Sequence, residues 1–321
     1  MKMIDIVIPA YKAHDTIHQT LCSIAYQTIR DLFHVTIVND DPNDSYQKEI
    51  DLFSHYIDIQ QITLEKNSGP GVARQVGIDS TSCPYLVFID SDDIFVNPCS
   101  IEILYKRIRR GKHDVVVGNF VSEHGMNFAP HLHDTIWMHG KIYLRKYLED
   151  HSIRFSPSRS NEDTGFNHLV LMHKPNIYFI ENHVYVWCYR ENSITRNNNS
   201  EYDITQLPGY LFSMTYAFKD GIQYHGDMKY IRNLVFWSLY MCYLSELEHN
   251  GKPLYESIQN DIYKEGRELA EYYFKNPYTE QEIGKASKER LANFKKEHPE
   301  AKIFETFDEY LQKMVTLKEA K

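Results

Sequence analysis

The sequence predicts an α/β protein: a mostly parallel sheet flanked by helices, with an α-helical C-terminal subdomain behind it. Three observations predict this. Short β-branched runs alternate with helix-period segments from Ile4 to Val117. Three of the runs end in polar or acidic residues, at Pro9-Ala10-Tyr11, Asn39-Asp40-Asp41 and Asp90-Ser91-Asp92-Asp93. Past about Leu207 the alternation stops and helical spacing takes over.

Ile4 to Ile8 is a β-branched run stopped by Pro9, the pattern of a buried strand running into a loop. Asp15 or Thr16 can cap a helix whose apolar positions are Ile17, Leu21, Ile24 and Ala25. A second strand, Val35 to Val38, precedes the polar cluster from Asn39 to Asp44. A helix near 45–56 and a strand near 59–64 follow. Asn67 to Gly77 reads as a glycine-rich turn opening a helix. Tyr85 to Ile89 is the most apolar strand, and a helix near 99–110 leads to a strand at 115–117. Farther on, a helix-like stretch is expected from His139 to Asp150, a short strand at Ile153 to Phe155, and a helix from about Thr164 to Met172. Val184 to Tyr189 alternates like an edge strand. Helices are expected from about Asp227, from Pro253 or Leu254 to Lys275, from Glu280 to Glu297, and from Phe304 to Leu317. The division expected is 1–215 for the α/β domain and 216–321 for the helical subdomain.

Composition excludes some roles. The net charge is −9 and no Lys/Arg block forms a phosphate-tracking stripe, so general nucleic-acid binding is not expected. With 24 Tyr and 16 Phe, aromatics are abundant enough either to wall a sugar cleft or simply to fill cores. The five cysteines are odd in number and lack a C-x-x-C pair, which disfavours a disulfide framework and a structural zinc site. The opening apolar run is too short for a signal peptide, and the uncharged stretch between Arg232 and Glu246 is too short to span a bilayer. A cytoplasmic protein is expected, with the inner face of the membrane as a second place of work. The C-terminal helices are candidates for a homo-oligomer surface or a peripheral membrane contact, although a solvated face is the default for the Lys-rich stretch.

In doubly wound sheets ligands gather beyond the carboxyl ends of the strands, which is where the three polar termini fall. Asp90, Asp92 and Asp93 crowd there, and a divalent cation would relieve their repulsion. Isolated, such a cluster would be an Asx turn or a helix cap; on this rim it reads as a site for Mn²⁺ or Mg²⁺. Glu162 and Asp163 open a helix, where the dipole alone favours acids; they also suit general-base catalysis. His131, His133, Asp134 and His139 read as a polar loop rather than a zinc site. Trp137 is a candidate to stack on an acceptor sugar or to lie in the core.

In order along the chain, Ile8-Pro9-Ala10-Tyr11, Ser23 to Thr28, Val38-Asn39-Asp40, Asn67 to Arg74, Phe88 to Asp93 and Glu162-Asp163 resemble the family 2 glycosyltransferases of the GT-A fold. The resemblance implies an inverting transfer from a nucleotide-diphospho-sugar, a UDP-sugar in this reading, to a hydroxyl of a glycan or similar acceptor. Pro9, Ala10 and Tyr11 would border the base, and Asp40 would accept a hydrogen bond from uracil. Gly69 and Arg74 would shape the ribose and diphosphate region. Asp90 and Ser91 would serve the nucleotide sugar, Asp92 would ligate the metal with Asp90 in or beside its shell, and Asp163 would be the base. Glu162 would hold the acceptor or fix its loop. Arg190 or Arg196, in a segment resembling the one that closes over the donor, would reach the diphosphate, and His183 is a candidate third ligand. Asp41-Pro42 stands where the family usually has Gly-Ser, and Gln75 where Asn is commoner. A sugar nucleotidyltransferase is less well matched, because only Lys12 follows the first strand. A non-catalytic binding module is disfavoured by the joint presence of Asp40, Asp90, Asp92 and Asp163.

Overall fold

The structure is a computed structural model and describes residues 1–190, 201–249, 251–299 and 306–317. Two compact units divide the chain, Met1–Arg196 and Asn197–Lys321. The division falls before the expected boundary at 215, because helix α7 (Glu201–Gln223) runs unbroken through that position.

The first unit is built on one sheet. Its strands are β1 (Ile4–Ala10), β2 (Phe33–Asn39), β3 (Ile59–Thr63), β4 (Tyr85–Phe88), β5 (Ile94–Phe95), β6 (Val115–His124), β7 (Asn127–His131), β8 (Lys141–Leu144) and β9 (Ile177–Trp187). They are ordered β3-β2-β1-β4-β8-β6-β9-β5, with β7 paired to β6. From β3 to β4 every pairing is parallel. Beyond β4 the sheet is mixed: β8 runs antiparallel to β4 and β6, while β9 returns parallel to β6. Helices α1 (Ile17–Ala25), α2 (Gln47–Phe53), α3 (Pro70–Asp79), α4 (Ser100–Ile108), α5 (Arg145–Asp150) and α6 (Glu162–Met172) connect the strands.

β1 is buried along its whole length, as a strand covered on both faces must be, and this fits its unbroken apolar run. α1 turns Ile17, Leu21, Ile24 and Ala25 inward at helical spacing. α3 lies unusually close to the sheet: a Cβ on Gly77 would come within 2.3 Å of Val7 Cγ1. Gly69 caps α3 with φ +91°, a left-handed conformation that glycine adopts without steric cost, and Pro70 presets the first helical turn.

Three local expectations give way to tertiary pairing. Lys141–Leu144 is a strand, not the opening of a helix, because β4 and β6 offer it ladder partners on both sides. Ile153 to Phe155 is irregular; the Phe155 N–H donates to Gln75 Oε1 (2.9 Å) instead of to a strand. β9 is no edge strand, since it lies between β6 and β5.

The second unit is helical: α7, α8 (Met228–His249), α9 (Pro253–Lys275), α10 (Glu280–Glu297) and α11 (Phe307–Thr316). Much of the aromatic content is core here. Phe236, Tyr240, Tyr243 and Tyr310 are buried, with Phe307 against Phe236, Tyr240 and Tyr243. Among the described residues no helix is long and apolar enough to cross a membrane.

Candidate active site

The acidic turn follows β4. The Asp93 N–H donates to the Asp90 carbonyl (3.1 Å), so a turn starts at once, and the carboxylates of Asp90 and Asp93 come near each other while Asp92 pairs with Arg190. α1 pins this turn: Thr16 Oγ1 donates to the Ser91 carbonyl (2.9 Å) and Thr20 Oγ1 to the Asp93 carbonyl (2.8 Å). Asp93 is fully buried, accepting from Tyr185 Oη (2.6 Å) and from the Cys188 N–H (2.9 Å). Burial, with Asp92 and Asp90 beside it, holds its carboxyl well above the usual range. Asp92 is 40% exposed at its side chain and pairs with Arg190 Nε at 3.1 Å.

Asp90 faces Arg74. The Arg74 guanidinium is 4% exposed, and its two terminal nitrogens part: Nη2 donates to Asp90 Oδ1 and Nη1 to Glu162 Oε1, each at 2.5 Å. Burial alone would lower the Arg74 pKa; the two carboxylates outweigh it and hold the charge in place. Burial likewise pushes Asp90 up, but Arg74 prevails and its pKa lies below the usual value. α6 supplies the far side. Its N-cap, Asn161, has φ +55°, and Glu162 and Asp163 occupy the first turn. Asp163 Oδ1 accepts the Thr164 N–H at 2.7 Å. Burial raises the pKa of both acids, Glu162 to about 7.

On the other rim, Ala10 is buried and Tyr11 is 49% exposed. The Asp40 N–H donates to the Ala10 carbonyl, continuing the β1–β2 register beyond Pro9. Asp40 is buried, and its two carboxylate oxygens accept the Ser68 and Gly69 N–H groups at 2.6 and 2.8 Å. It therefore fixes the turn into α3, and a contact with a base would need a further lone pair on one of those oxygens. Gln75 has settled contacts, with Phe155 N and with Asp79 (2.9 Å).

Trp137 sits half-buried in the loop before β8. Asp134 Oδ1 accepts its N–H (2.7 Å), and buried Lys141 donates to its carbonyl. Its ring meets Trp187 edge-on at 5.1 Å. Asn167 on α6 ties this loop to the acids, donating to the Ile136 carbonyl (2.7 Å) and to the Asp163 carbonyl (3.2 Å).

Ligand atoms of Asp90, Asp93 and His139 lie within 4.8 Å of one another, a group that could hold a metal ion. His139 is buried against Tyr185, with Nδ1 lacking a hydrogen-bond partner. Burial drives its pKa down to about 3, so the ring is neutral at pH 7, as a metal-ligating imidazole must be. Two carboxylates with an unpartnered imidazole nitrogen suit a divalent cation. The histidine brought to the acidic turn is thus His139, from the turn just before β8 in the stretch expected as a helix, and His183 is not part of the group. Arg196 and residues 191–195 of the segment after Arg190 lie outside the described residues.

A half-parallel sheet with an acidic turn on its rim and a second carboxylate pair opposite defines a sugar-transferring enzyme once the family match is added. Residues 5–162 match the family model "Glycosyl transferase family 2", and through this domain the chain belongs to that family of glycosyltransferases. The chain is 25% identical over 223 residues to glycosyltransferase GlyA of Streptococcus pneumoniae serotype 4, covering 60% of this chain and 31% of that protein. It is 25% identical over 122 residues to the poly(ribitol-phosphate) beta-N-acetylglucosaminyltransferase TarP of Staphylococcus aureus, covering 37% of each. These two matches therefore span well under two thirds of the relatives' own lengths. Among solved structures, S. aureus TarS in complex with UDP-GlcNAc superposes with a TM-score of 0.68 at 19% identity, covering 84% of this chain and 81% of that one. This shows the GT-A fold.

Proposed function

We propose that the protein is an inverting, divalent-cation-dependent glycosyltransferase that moves a hexosyl or N-acetylhexosaminyl group from a UDP-sugar to a hydroxyl of a cell-surface glycan. The observation that carries the reading is the Arg74 fork. One buried guanidinium grips Asp90 at the acidic turn and Glu162 beside Asp163, so the donor-side and acceptor-side carboxylates share a single rigid support. The UDP choice is supported by TarS, crystallised with UDP-GlcNAc and with UDP, and by the N-acetylglucosaminyl transfer in the name of TarP. A fold neighbour of lower TM-score, 0.54, is a mannosyltransferase held with GDP-Man and Mn²⁺, which also supports cation dependence.

In this mechanism Tyr11 and the ends of β1 and β2 border the base. Asp90 and Asp92 would hold the cation, Mn²⁺ or Mg²⁺, with Asp93 and His139 beside them. Held there, a cation would supply positive charge opposite the departing diphosphate. Arg190, now on Asp92, is within reach to turn its guanidinium to the phosphoryl oxygens. Asp163 receives the acceptor hydroxyl's proton at Oδ2, since Oδ1 is engaged by the Thr164 N–H. Its raised pKa makes it a better base than an exposed aspartate. Trp137 forms a wall of the acceptor side. In this reading the enzyme works in the cytoplasm, with the inner face of the membrane as a second place of work.

A panel of UDP-, GDP- and dTDP-sugars, assayed for donor hydrolysis with Mn²⁺, Mg²⁺ or chelator, tests the reading. Cation-dependent release of UDP is expected, lost in Asp163→Asn when acceptor transfer is measured. Undiminished turnover in excess chelator would overturn it.

A further inference from the structure

One end of the first unit carries positive charge that the sugar chemistry does not use. Five of the eight residues from Lys106 to His113 are Lys or Arg, with no acid among them, in a protein whose net charge is −9. They end α4 and fill the loop into β6, so they wrap the tip of a helix and do not lie along one as a stripe. Ile101, Leu104 and Ile108 bury the inner side of α4, which leaves Lys106, Arg109, Arg110 and Lys112 exposed. Lys106 pairs with Glu102. Among the described residues, no carboxylate comes within ion-pair distance of Arg107, Arg109, Arg110 or Lys112. The helix dipole favours cations in the last turn of α4, but it accounts neither for Lys112 beyond that turn nor for the missing acids.

The cluster is held in shape. The Arg107 guanidinium lies 3.9 Å over the ring of Tyr178 on β9. Asn176 grips the loop: its N–H donates to Asp114 Oδ2 (2.8 Å), its Nδ2 to the Lys112 carbonyl (2.5 Å), and its Oδ1 meets His113 Nδ1 at 3.2 Å. Because β8 runs antiparallel to β4 and β6 antiparallel to β8, the start of β6 and this loop lie at the end of the sheet opposite the acidic turn.

We infer that this end of the first unit docks on an anionic phospholipid surface. Lipid phosphates stand side by side in a plane and need only cations to meet them. Each Lys or Arg near such a surface strengthens binding by about fivefold. A nucleic-acid strand would also ask for rings to stack on; here Tyr105 is buried and Tyr178 lies beneath Arg107. An acceptor held for transfer would lie at the other end of the sheet. The docking surface thus stands apart from the cation and the base of the transfer.

The experiment is flotation of the full chain with vesicles of phosphatidylcholine alone, and of phosphatidylcholine and phosphatidylglycerol in equal parts. Wild type is expected to float with the anionic vesicles only, and to be released when about 1 M salt cuts the Debye length to about 3 Å. Arg109→Gln/Arg110→Gln/Lys112→Gln is expected to melt as wild type does and to lose about 100-fold in vesicle affinity. Lys285→Gln/Lys288→Gln/Lys295→Gln removes the same charge from α10 and is expected to float as wild type does. Equal loss in the two variants would assign the effect to bulk charge and overturn the inference. So would loss in the α10 variant alone, or wild-type flotation that is the same on both vesicles or indifferent to salt. Wild type that is held by single-stranded DNA but not by the anionic vesicles would give the cluster to nucleic acid instead. Should the first variant melt early, Lys112→Gln alone carries the test: about fivefold weaker flotation sustains the inference, and unchanged flotation overturns it.

Discussion

Gly71→Ala puts the contact between α3 and α6 to a quantitative test. The new Cβ would lie 2.4 Å from the Ser156 carbonyl oxygen and 3.0 and 3.1 Å from Glu162 Cβ and Cγ. Carbon and oxygen in comfortable contact stand about 3.3 Å apart, so the backbone must yield by about 0.9 Å. The obstruction is main chain, not the end of a flexible side chain, and no rotamer change relieves it. Overpacking of this kind costs about 1–3 kcal/mol, and a displacement of about 1 Å at a catalytic support costs on the order of 100-fold in rate. The assay is a urea melt paired with kcat for transfer at saturating donor. A lower midpoint with an unchanged slope is expected, together with the loss of rate. A variant that melts and turns over like wild type would refute the claim that the Arg74 fork depends on this close approach.

Tyr185→Phe removes the hydroxyl that donates to Asp93 Oδ2 and accepts the Asp90 N–H; a loss of about 1–3 kcal/mol is expected in thermal melting, with weaker Mn²⁺ binding by titration. His14 bonds Asp44 Oδ1 and Oδ2 at 2.8 Å, and this bond raises its pKa against the opposing effect of burial. Its stabilisation is therefore full below the ordinary value of 6.5 and fades as pH rises through the folded value. The melting deficit of His14→Ala should be larger at about pH 5.5 than at about pH 8.5. Because His14 is 45% exposed, solvent screening keeps the effect within about 1 kcal/mol. An equal deficit at both pH values would show that the ring contributes by packing on Tyr46 alone.

The parallel half of the sheet was legible because β1 and β4 are buried along their whole length and read as continuous apolar runs, while α1 and α3 carry helical spacing between the strands. The mixed half was less so. β8 has a helix-compatible sequence and becomes a strand through β4 and β6, partners distant in the chain. That misreading hid His139, in the turn just before β8, which reaches Asp90 and Asp93 because β8 pairs with β4 and not through sequence spacing. The acidic turn was visible as a cluster, yet alternation could not say which carboxylate points where. The turn closed by the Asp93 N–H, with Tyr185 waiting for the Asp93 side chain, decides that. Glu162 and Asp163 stood out as a pair; that Glu162 turns inward to Arg74 depends on Gly71, a residue whose meaning appears only when α3 meets the 156–162 loop. The early division of the chain follows from α7, whose start lies ahead of the point where helical periodicity becomes clear.

Calorimetric titration of UDP into the full chain, run once with Mn²⁺ and once with chelator, bears on the acidic turn with the least intervening chemistry. The account predicts saturable binding with the cation present, and loss of most of that affinity both in chelator and in Asp92→Asn. Equal affinity in all three would mean that the aspartates after β4 hold no ion for the diphosphate.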